Sequence, residues 1–175
     1  MECRALQIEL RAAGSNPRKL EGYAATFGVE TRIGDFVETI RVGAFAASLA
    51  SGRDIIALSD HDATRVLGRT KSGTLRLSED TRGLQFSLDL PDTTAARDLL
   101  ALAERGDLGG ASFGFKAQDE KWSGNRRELR AIELHEISIV QSWPAYSNTK
   151  VEARGRLSAE APHAGLSRTL NKWRP

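Results

Sequence analysis

One serine in this chain stands on a strand face stripped of other side chains. In the stretch Gly109-Gly110-Ala111-Ser112-Phe113-Gly114-Phe115-Lys116-Ala117, two-residue alternation sends Ala111, Phe113 and Phe115 to one face and Gly110, Ser112 and Gly114 to the other. The aromatics anchor a core. Glycine weakens a strand interior, so its presence on both sides of the serine asks for a physical reason, and close approach of an extended peptide backbone is one. Ser112 is therefore the candidate nucleophile, and Gly110 and Gly114 are candidate substrate-binding positions. The competing interpretation is a solvent-facing serine with no chemistry.

A serine attacks a carbonyl only when a base takes its proton. The chain has three histidines, His61, His135 and His163. His163 falls in a polar C-terminal stretch. His61 lies in Ser59-Asp60-His61-Asp62, just after the apolar run Ile55 to Leu58, where a loop at a strand end gathers functional side chains; it is the first choice as base. His135, inside Glu133-Leu134-His135-Glu136-Ile137-Ser138-Ile139-Val140, is the second. The base also needs an acceptor to orient its other ring nitrogen. Glu136 and His135 both qualify chemically but point to opposite faces of one strand; Glu136, which shares its face with Ser138, is preferred, with His135 as the alternative. A surface ion pair between Glu136 and Arg130 or Arg127 is the unreactive reading.

Other chemistries are weakly supported. Asp60-His61-Asp62 could suggest a metal-dependent hydrolase, yet neighbours on an extended chain diverge and no second histidine stands at ligand spacing. Gly68 and Gly73 are isolated and open no phosphate loop. Neither a metal nor a cofactor is expected.

The elements that must position these residues read mostly as strands, at 3–10, 21–27, 35–41, 54–59, 64–70, 74–78, 83–90, 110–118, 126–133 and 134–140. Leu84, Phe86, Leu88 and Leu90 alternate with Gln85, Ser87 and Asp89, the pattern of an antiparallel sheet buried on one face. Two helices interrupt them: one at 43–51, with Phe45 and Leu49 four apart and Gly52 as a left-handed cap, and one at 93–105, with Asp92 as N-cap and Gly106 as stop. Residues 11–20 read as a surface turn and 119–127 as a polar hairpin. From Glu152 the composition shifts to Ala, Arg, Ser, Gly and Pro. The expected organisation is one mainly β domain over 1–151, with a basic, weakly structured tail over 152–175.

Charged residues make up 27% of the 175-residue chain, but the net charge is only +2, so no basic field calls for nucleic acid. The single cysteine, Cys3, excludes an internal disulfide framework and suits a reducing compartment. No run of about 18 apolar residues exists, and Met1-Glu2-Cys3-Arg4 lacks a signal-peptide core. A soluble cytoplasmic protein is expected, with no membrane partner.

In this order, His61, Ser112 and Glu136 resemble the prohead (capsid maturation) serine proteases of tailed bacteriophages. The resemblance is carried by Gly22-Tyr23-Ala24-Ala25-Thr26-Phe27, Val42-Gly43-Ala44-Phe45, Asp60-His61-Asp62 with Leu67-Gly68-Arg69, and Gly83-Leu84. Ser112-Phe113-Gly114-Phe115 and Leu134-His135-Glu136-Ile137-Ser138-Ile139-Val140 with Pro144-Ala145 complete it, over about residues 21 to 151. It implies a serine endopeptidase with a closed antiparallel β-barrel like that of herpesvirus assemblins, acting inside the assembling prohead in the bacterial host cytoplasm. Its implied partners are the major capsid protein and scaffold as substrates, with the protease itself as a further substrate, and a second copy of the chain in a homodimer. Assemblins pair serine with two histidines, so an acidic third member departs from them. Their oxyanion arginine pair has no clear counterpart after Val140; backbone N–H groups near Ser112, or Arg69 or Arg130, are the candidate oxyanion donors in its place. The non-enzymatic alternative is a capsid-assembly module that binds scaffold.

Overall fold

The computed structural model describes residues 1–6, 11–12 and 18–142. Its strands are β1 (Glu2–Leu6), β2 (Arg11–Ala12), β3 (Lys19–Thr26), β4 (Thr31–Ile33), β5 (Phe36–Ile40), β6 (Ile56–Ser59), β7 (Asp62–Arg69), β8 (Leu75–Glu79), β9 (Gly83–Asp89), β10 (Gly110–Ser123) and β11 (Arg126–Val140). Helix α1 (Ala46–Ala50) lies between β5 and β6, and α2 (Thr94–Arg105) between β9 and β10. The fold is mainly β with few helices. A small sheet runs β2-β3-β9-β8, and a larger one runs β1-β10-β11-β5-β4, with β6 also on β11 and β7 on β6.

The alternation read from the sequence decides the burial. Leu84, Phe86 and Leu88 of β9 join Ala111, Phe113 and Phe115 of β10 and Ile137 and Ile139 of β11 in one core cluster. Burying each large apolar side chain contributes about 1.5–3 kcal/mol. Phe45 at the head of α1 meets Phe113 edge-on at 5.5 Å, tying the helix to the strand that carries Ser112.

Strand β11 is the spine. One flank pairs antiparallel with β10 from Gly110↔Val140 to Ser123↔Arg126. The other flank is followed by a single pass of chain, residues 36–60. β5 runs parallel to it from Val37↔Arg126 to Ile40↔Leu129. The helical excursion then keeps contact, since Ile132 donates its N–H to the Ala44 carbonyl at 2.9 Å and Leu134 to Ser48 Oγ at 2.9 Å. β6 resumes the parallel ladder from Ile56↔Glu136 to Ser59↔Ile139. This tracking carries the chain to residue 61 beside the end of β11.

Several expectations are corrected. Among the described residues neither sheet closes into a barrel: β1, β4 and β7 remain edges of one and β2 and β8 of the other. The reason is the sharing of one β11 flank by β5 and β6, which forks the sheet instead of bringing its edges together. Those two pairings are parallel, so the sheet is not purely antiparallel. Thr93, not Asp92, caps α2, its Oγ1 accepting the Ala96 N–H at 3.3 Å, while Asp92 pairs with Arg97. Gly106 ends α2 in the left-handed conformation as expected (φ 75°). The polar hairpin is mostly strand, because β10 and β11 run on to a turn at Gly124. Residues 7–10 of the strand expected over 3–10, and the tail over 152–175, lie outside the described residues.

Candidate active site

The face of the larger sheet that points away from the aromatic core carries the polar residues. In one row across it, Cys3 of β1 pairs with Gly114 of β10, Gly114 with Glu136 of β11, and Glu136 with Ile56 of β6. In the next row on the same face, Ser112 pairs with Ser138 and Ser138 with Leu58. Ser112 therefore stands one side-chain repeat, about 6.8 Å, along from the Gly114–Glu136 row.

Gly114 is a seat for Glu136. A Cβ at 114 would lie 2.7 Å from both Cγ and Oε1 of Glu136, closer than packed atoms approach. The close neighbour that this glycine admits is thus a carboxyl from the next strand, not the substrate backbone expected from the sequence. β10 is also flanked on both sides, by β1 and β11, and has no free edge here. Gly110 opens β10 at φ 149°, a conformation that favours glycine.

His61 arrives on a strained turn. Ser59 pairs with Asp62 across the β6–β7 hairpin, leaving Asp60 and His61 as its two-residue loop, both with positive φ (50° and 60°). That turn ordinarily takes Asn-Gly or Asp-Gly, and the left-handed conformation costs a residue with a Cβ about 1–2 kcal/mol. Neighbouring groups hold it in place. The His61 N–H donates to Ser138 Oγ at 2.7 Å, the Asp60 N–H to the Ile139 carbonyl at 3.0 Å, and the Gln141 N–H to Asp60 Oδ1 at 2.8 Å. Strain kept by such contacts is a feature of functional sites.

The result is an imidazole set on a carboxyl. His61 Nδ1 lies 2.5 Å from Glu136 Oε1. Glu136 is 3% exposed, and its other oxygen, Oε2, is buried without a hydrogen-bond partner. With Nδ1 carrying the proton towards the carboxylate, Nε2 is the free acceptor, the tautomer that a general base needs. The Cys3 thiol, the His61 ring and the Glu136 carboxyl present ligand atoms all within 4.8 Å of one another. Burial first, and then the charge of Glu136, push the Cys3 thiol pKa up.

Ser112 is fully buried, and its Oγ donates to the Arg4 carbonyl of β1 at 2.8 Å. Among the described residues no hydrogen bond joins it to His61. His135 faces Glu133 at 3.4 Å and does not reach His61. Arg130 pairs with Glu128 and stands eight residues along β11 from Ser138, about 27 Å, which removes it as an oxyanion donor. Arg69 pairs with Asp54 at 3.0 Å. Asp60 serves the turn, and Asp62 accepts from the Thr64 N–H and hydroxyl; neither joins His61 in a ligand cluster. His163 lies outside the described residues.

The sequence reading passed over two residues that the fold brings in. Ser138 anchors the His61 turn, a role hinted at by its shared strand face with Glu136. Cys3 reaches the site from the first strand, and only the β1–β10 register reveals it.

Compared with known proteins, the chain matches a family model described as caudovirus prohead serine protease over residues 6–163, running past Val151 into the stretch read as a tail. No curated protein and no solved structure matches the chain.

Proposed function

The chain belongs to the caudovirus prohead serine proteases, and from that membership we propose that Ser112, His61 and Glu136 form its catalytic triad. The family is one of serine endopeptidases with a role in capsid maturation, for which capsid proteins are the substrates. The observation that carries the triad is the 2.5 Å contact from His61 Nδ1 to Glu136 Oε1, on the same sheet face as Ser112.

In the proposed reaction, Ser112 Oγ turns from the Arg4 carbonyl, passes its proton to His61 Nε2 and attacks the scissile carbonyl. Glu136 holds the ring and stabilises the imidazolium. His61 then returns the proton to the leaving amine, and water activated by the same imidazole hydrolyses the acyl-enzyme. A looser nucleophile-to-base geometry without substrate is normal, and rearrangement on binding completes it. The substrate strand docks on the outer side of β1, a sheet edge among the described residues and next to Ser112's strand, where main-chain hydrogen bonds supply affinity. Major capsid protein and scaffold are the substrates, together with the protease itself, inside the prohead assembling in the bacterial host.

Proximity to the imidazole gives Cys3 a claim as an alternative nucleophile. Its raised pKa keeps it a thiol, and the family uses serine. Coexpression with the capsid and scaffold proteins separates the two: Ser112→Ala leaves both substrates intact and Cys3→Ala still cleaves them. Cleavage by Ser112→Ala and its loss in Cys3→Ala would transfer the role to the thiol.

A further inference from the structure

Gly114 opens a gap in the sheet face that three side chains enter from separate strands or loops: Cys3 from β1, His61 from the β6–β7 turn and Glu136 from β11. We propose that this cluster is a binding site for a zinc-class divalent cation, whose occupancy and proteolysis exclude one another. Two independent observations converge on it. The sulfur, ring nitrogen and carboxyl oxygen lie within 4.8 Å of one another. Glu136 Oε2 is also buried with no hydrogen-bond donor, although Glu136 itself is 3% exposed. A buried carboxylate oxygen without a donor calls for a partner, and a cation is one that fits a carboxylate.

The chemistry of the donors selects the ion. One thiolate, one imidazole and one carboxylate make the mixed S, N, O set that zinc takes, with a fourth position left open. Calcium and magnesium demand six or more oxygens and find too few here. Bond lengths near 2.0–2.3 Å in a tetrahedron put donor atoms roughly 3.3–3.8 Å apart. All three atoms already lie within 4.8 Å of one another, and the His61–Glu136 pair, at 2.5 Å, has to open. The charges balance as well, because a thiolate and a carboxylate neutralise a dication in a place where net charge is costly. On binding, the thiol proton leaves to water and the imidazole proton moves from Nδ1 to Nε2, so the ring ligates as a neutral donor.

The consequence for catalysis, though not the binding itself, rests on the triad assigned above. A metal that occupies the Glu136 carboxyl and the His61 ring deprives Ser112 of its base. Cys3 does nothing in the peptidase reaction, so it can be removed without touching that machinery.

The test uses the full-length Ser112→Ala protein, which is unable to cleave itself, titrated with cobalt(II) as a spectroscopic stand-in for zinc. The expected result is a thiolate-to-cobalt charge-transfer band in the near ultraviolet that saturates at one equivalent, bleaches on adding zinc, and vanishes in Cys3→Ala and Cys3→Ser at an unchanged melting temperature. In the Ser112 protein, zinc should inhibit and a chelator should restore activity. Cys3→Ala should keep its basal activity while tolerating at least tenfold more zinc. No band, or a band that survives removal of Cys3, overturns the site. If Ser112→Ala still cleaves substrate, the triad falls, while the cobalt spectrum still decides the metal site on its own.

Discussion

The larger sheet buries two glutamates to the same degree, and they are built in opposite ways. Glu38 on β5, opposite the start of β11, is 3% exposed and saturated: Arg4 Nε reaches Oε1 at 2.6 Å, while Arg4 Nη2 and Arg127 Nη1 reach Oε2 at 2.9 and 3.0 Å. Glu2 and Glu120 close the cluster around Arg127. Glu136, towards the other end of β11, is 3% exposed with one oxygen on an imidazole and the other on nothing. A desolvated carboxylate costs several kcal/mol unless its lone pairs are met. The first site gives donors to both oxygens and is structural. The second leaves one oxygen unmet and places an imidazole on the other, the arrangement on which the proposed catalytic role rests.

The contrast is tested first where it predicts most. Glu136→Gln keeps the shape but no longer fixes the tautomer of His61, so turnover should fall about 10⁴-fold. Its melting temperature should hold or rise, because an unsatisfied buried carboxyl is gone. Steady-state kinetics and calorimetry on one preparation give both numbers; equal losses in the two would make Glu136 merely another structural residue.

Arg127→Ala is the mirror image. Removing one partner from a buried ion-pair cluster should cost about 3–5 kcal/mol, read by denaturant unfolding, with turnover per folded molecule unchanged. A proportionate loss of activity would join the two ends of β11 functionally and break the comparison.

Gly114→Ala comes next in size. Its Cβ would stand 2.7 Å from the Glu136 carboxyl, and a misplacement of about 1 Å at a catalytic group costs on the order of 10²-fold. A kcat loss of that order, at a melting temperature within a few degrees of wild type, is the expected outcome.

The smallest effect lies in the pH dependence of stability. Hydrogen bonds from Arg127, more than those from Arg4, hold the Glu2 carboxyl down at about 2, against the ordinary 4.5. A depressed pKa contributes stability that is present above pH 4.5 and is lost as the pH falls towards about 2. Because Glu2 is partly exposed, solvent screens the pair and its worth is about 1 kcal/mol. Melting curves between those limits should show Glu2→Gln less pH-sensitive than wild type by about 3 °C. Parallel curves would remove Glu2 from the cluster's energetics.

Alternation along residues 110–115 and 83–90 was enough to predict the core strands, and it placed Ser112 opposite the aromatics, where it is found. The pairing of His61 with Glu136 followed from chemical need together with shared strand faces. The parallel ladders on β11 were not legible, since nothing in residues 36–40 or 56–59 states which neighbour they take. Barrel closure was inherited from a resemblance, and closure depends on register between distant strands. Gly114 shows a further limit: the sequence announces that something comes close, and only the fold says that it is Glu136. Cys3 was read for its redox meaning because its place in the site depends on β1 lying beside β10.

The central claim is that Ser112 is the nucleophile and His61 its base. The most direct measurement treats the full-length protein with a fluorophosphonate, which phosphonylates only an activated serine, and maps the adduct by peptide mass spectrometry. The account predicts a stoichiometric adduct on Ser112, absent in His61→Ala and strongly slowed in Glu136→Gln. An adduct on Ser138, or an unmodified Ser112 in protein that cleaves its substrate, would contradict it.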